Sequence, residues 1–166
     1  MLFRALIDRL LGSGTTQNWK ETDRLKITRL SYKKYPNLLD IIVQLLTPKR
    51  QGGATELTNT ALEGVFPAFQ ILQRARPPAE RRAEIQQLVF ALTASSHWHV
   101  RDMAARTLAA LLGPEERVEW VLALLEMPFQ KQNALHGVLS SVKYLVKEMC
   151  EADDKELHGK CLLLFW

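Results

Sequence analysis

The chain has 166 residues, 47% of them apolar and 24% charged, with 22 Lys and Arg against 18 Asp and Glu for a net charge of +4. A compact chain of this length buries roughly 70% of its unfolded surface, enough for a core without disulfide or metal staples, and extensive disorder is excluded. Cys150 and Cys161 are its only cysteines and lie near one end, which points to a reducing compartment. No apolar run reaches the ~18 residues that span a bilayer, and Met1–Leu11 is interrupted by Arg4, Asp8 and Arg9.

Apolar residues recur at helical spacing, without sustained alternation of period two, so an all-α fold is expected. Leu2, Ala5, Leu6 and Leu10 form a first stripe that ends at Gly12-Ser13-Gly14. Residues 13–35 read as a basic loop with at most a short helix. Pro36 then opens a helix that is apolar nearly all round from Leu38 to Leu46, and such a helix must be sandwiched between neighbours. Lys49–Ala54 reads as a surface loop. Leu62, Val65, Phe66, Phe69 and Leu72 mark another helix that starts or bends at Pro67 and ends at Pro77-Pro78.

Ile85, Leu88, Val89 and Leu92 define one buried face of the next. After Ser95-Ser96 comes a stripe of Val100, Ala104, Leu108 and Leu111, stopped by Gly113-Pro114. Val118, Val121, Leu122 and Leu125 form the following one. The longest stripe comprises Leu135, Val138, Leu139, Val142, Leu145, Val146 and Met149. About seven helices joined by short connections suggest successive helical hairpins, and HEAT or armadillo units of about 40–47 residues would fit three to four times. The stretch from Val100 to Leu111 resembles the second helix of a HEAT repeat. Ser95, Ser96 and His97 stand where such repeats often carry an acid, which removes one half of the usual Asp–Arg ladder.

Chemistry-bearing constellations are sparse. His97-Trp98-His99 lacks a third nearby metal ligand and reads as an aromatic wedge with capping polar groups. Cys150, His158 and Cys161 fit no standard zinc spacing, although a zinc hydrolase built on them is one rival reading. Phosphate-binding, nucleophile-elbow and zinc-protease motifs are absent from the sequence. Charge is more informative: Asn18–Arg50 holds eight Lys or Arg and three acids. Within it Lys26, Arg29, Lys33 and Lys34 are candidates to neutralise RNA phosphates, with Tyr32 and Tyr35 available for stacking or as packing anchors. The competing reading is a solvated loop beside a scaffold. Arg74, Arg76, Arg81 and Arg82 form a second basic corner, read mainly as ordinary hairpin surface. Gly137, costly inside a helix, suggests close approach of a neighbour, and His136 beside it suits a hydrogen bond to backbone.

Four ordered blocks, Leu2–Gly12 (LFRALIDRLLG), Lys34–Leu38 (KYPNL), Trp98–Leu108 (WHVRDMAARTL) and Gln132–Leu139 (QNALHGVL), resemble the THADA-like family of very large armadillo/HEAT proteins. The resemblance implies a cytoplasmic solenoid that acts as the non-catalytic partner of a tRNA anticodon-loop ribose 2′-O-methyltransferase. Its partners would be that methyltransferase subunit and tRNA, with no membrane and no small-molecule substrate. S-adenosylmethionine would belong to the catalytic partner, and no cofactor is expected on this chain. Trp98, Arg101, Arg106, Asn133, His136 and Gly137 lie in the matching blocks and are read as mainly structural. Family members are many times longer and carry an Arg-Arg-Ser-Ala-Gly motif upstream of the segment matching Leu2, so an internal or truncated piece is expected. Residues 1–149 would be solenoid, and the unmatched 150–166 a severed helix or gene-model artefact. The alternative function is a HEAT-repeat protein–protein adaptor without RNA binding.

Overall fold

The computed structural model describes residues 32–47, 59–128 and 131–151, and among them every regular element is helical. A helical turn at 32–34 precedes six helices: α1 (Leu38–Leu46), α2 (Asn59–Arg74), α3 (Ala79–Leu92), α4 (Trp98–Leu111), α5 (Pro114–Leu125) and α6 (Gln132–Glu151). The expected helix at 2–11, the loop at 49–54 and the tail from 152 lie outside the described residues, as does most of the basic loop. The helical turn at 32–34 falls at the end of that stretch, which the sequence allows to hold a short helix.

Helix ends follow the punctuation in the sequence. Pro36 precedes α1, which closes where the Thr47 hydroxyl donates to the Val43 carbonyl at 2.7 Å. Proline at the first position starts α5, and the Glu116 carboxylate accepts the Gly113 N–H at 2.7 Å, satisfying a donor that the helix leaves orphaned. Pro67 neither starts α2 nor ends it. The helix runs through, because Val65, Ala68, Phe69 and Leu72 are fully buried on both sides of the proline and hold its two halves in place.

The helices form three antiparallel hairpins, α1–α2, α3–α4 and α5–α6, stacked as two layers. In one layer α2 packs on α4 and α4 on α6; in the other α1 packs on α3. Phe90 of α3 meets Trp120 of α5 edge to face, with ring centroids 5.7 Å apart, extending that second layer. One core cluster runs through the stack from Leu39 to Leu145. Helix α4 lies at its centre, touching α2, α3 and α6. Its Ala104, Ala105, Ala109 and Ala110 are all buried, and small side chains are what allow three helices to approach one.

The stripe expected on α6 is rotated from where the apolar residues alone place it. Gly137, Val138, Ser141, Leu145 and Met149 are buried, whereas Leu135 and Leu139 are exposed. Gly137 packs against the Thr93 carbonyl at the end of α3, which sets the small residues of α6 inward and leaves these leucines outward. Among the described residues no helix is long and apolar enough to cross a membrane.

Candidate functional site

Tyr32 anchors the start of the described chain. Its hydroxyl donates to the Ala75 carbonyl at 2.8 Å, its side chain packs against Ala75, and burial raises its pKa above the ordinary tyrosine value. This fixes the 32–34 turn on the C-terminal end of α2 and leaves Lys33 and Lys34 exposed. Lys34 Nζ lies 5.5 Å from the centroid of the exposed Tyr35 ring. Of the two tyrosines, Tyr32 is therefore a packing anchor, and Tyr35 is the one open to solvent. Lys26 and Arg29 fall outside the described residues.

The second basic corner is not a surface. Arg74 and Arg76 are buried, and Arg76 donates from Nε to the Ala110 carbonyl and from Nη2 to the Leu112 carbonyl, both at 3.0 Å. It thus caps the C-terminal end of α4 from the preceding hairpin, where a cation also complements the helix dipole. Gln73 Nε2 donates to Thr107 Oγ1 at 2.8 Å one turn away. Arg81 keeps the expected surface character: it bonds Asp40 at 3.0 Å and Glu84 at 2.6 Å, which raises its pKa further.

The residues of the later blocks meet at one edge of the stack, where the α3–α4 connection faces the start of α6. Arg101 is buried and donates to the Ser95 and Ser96 carbonyls at 2.7 and 2.9 Å, and to His136 Nδ1 at 3.3 Å. Backbone carbonyls thus receive the guanidinium where a HEAT repeat would supply an acid. Gly137 abuts the Thr93 carbonyl so tightly that no Cβ fits. His136 accepts a side-chain hydrogen bond in place of the expected backbone one. Asn133 is exposed on the first turn of α6.

Trp98 does not wedge into the core. It is 57% exposed and stacks on the His99 ring with centroids 3.7 Å apart. His97 makes no side-chain cap; instead Ser95 Oγ accepts the His97 N–H at 3.3 Å. Arg106 stands over the Tyr144 ring at 5.0 Å and donates to its hydroxyl at 2.9 Å, while that hydroxyl donates to Asp102 at 2.8 Å. Asp102 and Arg106 are visible in sequence as a pair four residues apart. Tyr144 is not, because it belongs to the next hairpin and only the packing of α4 on α6 brings it there.

Among the described residues no three His, Cys, Asp or Glu side chains converge to hold a metal ion. Cys150 is exposed near the end of α6, and His158 and Cys161 lie outside the described residues.

Comparison with known proteins places this stack of hairpins. The family of Trm732 C-terminal TPR repeats matches residues 1–145. The chain belongs to that family. Its repeats are therefore TPR repeats rather than the HEAT or armadillo units expected from the alanine–leucine pattern of α4. Close-packed alanines serve either kind of hairpin, and the helix starts step by 39 residues from Asn59 to Trp98 and by 34 from Trp98 to Gln132, so the family match rather than the spacing decides the kind of repeat. The tRNA (32-2′-O)-methyltransferase regulator trm732 of Schizosaccharomyces pombe is 26% identical over 152 residues, covering 86% of this chain. The chain spans about 10% of the length of that relative. No solved structure matches.

Proposed function

We propose that the chain is a non-catalytic repeat segment of a regulator of tRNA ribose 2′-O-methylation, scaffolding a methyltransferase subunit and tRNA in the cytoplasm. Membership of the Trm732 C-terminal repeat family carries this reading, and the regulatory relative in fission yeast gives it its chemistry. The described side chains fit a scaffold: the buried Arg76, Arg101 and Arg117 are spent on carbonyls, a histidine and a carboxylate that join neighbouring elements. Lys33 and Lys34, exposed on a turn that Tyr32 pins down, are the phosphate contacts of this reading, joined in sequence by Lys26 and Arg29. Methyl transfer itself, with its S-adenosylmethionine, belongs to the partner subunit. An RNA-free protein adaptor is the second reading, favoured by the exposed leucines of α5 and α6.

The test is to map ribose 2′-O-methylation in the tRNA anticodon loop of cells lacking the full-length gene, and of the same cells complemented with it. Loss and recovery of the methyl group at one loop position is the expected result. An unchanged methylation pattern would overturn the proposal in favour of the adaptor.

A further inference from the structure

The outer side of the α5–α6 hairpin is built like an inter-hairpin seam. Leu122 and Leu125 of α5 are 45% and 56% exposed, and Leu135 and Leu139 of α6 are 39% and 56% exposed. Trp120 turns toward α3 and Gly137 toward Thr93, so at 100° per residue these four leucines lie on the faces of α5 and α6 turned away from the preceding hairpin. The repeat confirms the direction. With α4 starting at Trp98 and α6 at Gln132, Leu135 and Leu139 occupy the places of Arg101 and Ala105, which α4 buries within the stack.

Charge is distributed unevenly across this face. Exposed Glu119 and Glu126 border the leucines on the α5 side, and exposed Lys143 and Lys147 border them on the α6 side. Lys147 makes an ion pair along its own helix, with Glu151 at 3.7 Å. The contact of Arg117 with Glu148 at 3.3 Å fixes the register of the two helices. At that register Glu119 stands level with the stretch between Lys143 and Lys147, and Leu125 level with Leu139 to within about one residue.

We propose that this face binds the same face of a second copy of the chain. The twofold axis would lie in the interface and run along the helices, which sets α5 of one copy against α6 of the other. That rotation exchanges the two borders, so the acidic border meets the basic one and the leucines interleave between them; an axis across the helices would set like charges together. A face that is apolar at its centre and oppositely charged at its two borders is self-complementary in this one arrangement. The inference does not depend on tRNA or on the methyltransferase.

Sedimentation velocity of the 166-residue chain over a concentration series tests it. A reversible monomer–dimer equilibrium is expected, and Leu139→Glu, at an exposed position, should weaken it by at least about tenfold. The decisive arm is a charge swap. Chains carrying K143E/K147E, or E119K/E126K, should each be monomeric alone and should form a 1:1 heterodimer when mixed, which requires both variants to be folded. A wild-type chain that stays monomeric, as it would if residues beyond Glu151 or another partner covered the face, overturns the proposal. So does open-ended aggregation, or association that the charge swap leaves unchanged.

Discussion

Gly137 of α6 packs directly on the Thr93 carbonyl at the end of α3, and a Cβ at position 137 would overlap that oxygen and its carbon. The obstacle is backbone, which cannot rotate aside as a side chain can. Alanine would gain about 1 kcal/mol of intrinsic helix propensity over glycine, but overpacking against a rigid neighbour costs about 1–3 kcal/mol or more. Gly137→Ala should therefore destabilise the chain by a net ~1–2 kcal/mol, visible as an earlier urea midpoint. Ser141, whose hydroxyl donates to the Gly137 carbonyl at 2.8 Å, keeps the same stripe small. An unchanged or raised midpoint would show that α6 can move off Thr93 at little cost.

Arg76 joins two hairpins through carbonyls that nothing on α4 itself can satisfy. Hydrogen bonds from a charged donor contribute about 1.5–3 kcal/mol, and the planar fork of arginine reaches both acceptors where a lysine ammonium is a single point. Arg76→Lys should thus lower stability by about 2 kcal/mol, while Arg81→Lys, on the exposed pair with Asp40 and Glu84, should leave the midpoint nearly unchanged. Paired denaturant titrations of the two variants make the comparison, and equal effects would contradict the assigned roles.

The buried hydroxyl of Tyr32 makes stability depend on alkaline pH. Burial raises its pKa in the folded chain, so the folded state holds the phenolic proton more tightly than the unfolded state does. That contribution is complete below the ordinary tyrosine pKa of about 10 and is lost as pH rises past it, because only the unfolded chain then ionises freely. Tyr32→Phe should cost about 1 kcal/mol at neutral pH, through the lost bond to Ala75, and should flatten the fall in stability above pH ~10. Unfolding midpoints measured from pH 7 to 11 distinguish the two chains; parallel curves would remove Tyr32 as the source.

Most of the helices were legible because their signals are local. Pro36, Pro77-Pro78 and Gly113-Pro114 bound helices where proline geometry requires, and the 3.6 period of α3 to α5 shows in their apolar residues. What was not legible depends on neighbours. Pro67 inside α2 is a local stop signal overridden by burial on either side of it. The rotation of the α6 stripe toward Gly137 and Ser141 is set by the approach of Thr93, which composition cannot show. Arg74 and Arg76 look like surface charge until the next hairpin covers them, and Tyr144 joins Asp102 and Arg106 only through the stacking of α4 on α6. The kind of repeat was obscured for a related reason: alanines report close packing without reporting the period.

The last prediction concerns the phosphate contacts. Lys33 and Lys34 are exposed, and Tyr32 holds their turn against α2, so their replacement should change binding without changing the fold. Each lysine that neutralises a phosphate releases condensed counterions, and log K then falls with log salt at a slope of about 0.7–0.9 per contact. Lys33→Gln/Lys34→Gln in the full-length regulator should therefore weaken tRNA binding at low salt and make the salt slope shallower by about 1.4–1.8. Removing one lysine elsewhere, the exposed Lys131 just before α6, supplies a control of equal net charge for Lys33→Gln alone and should leave the slope unchanged. A uniform loss in both variants would mean that tRNA feels only the overall charge of the chain. An unchanged slope in both would remove this segment from the RNA interface and favour a surface that meets protein alone.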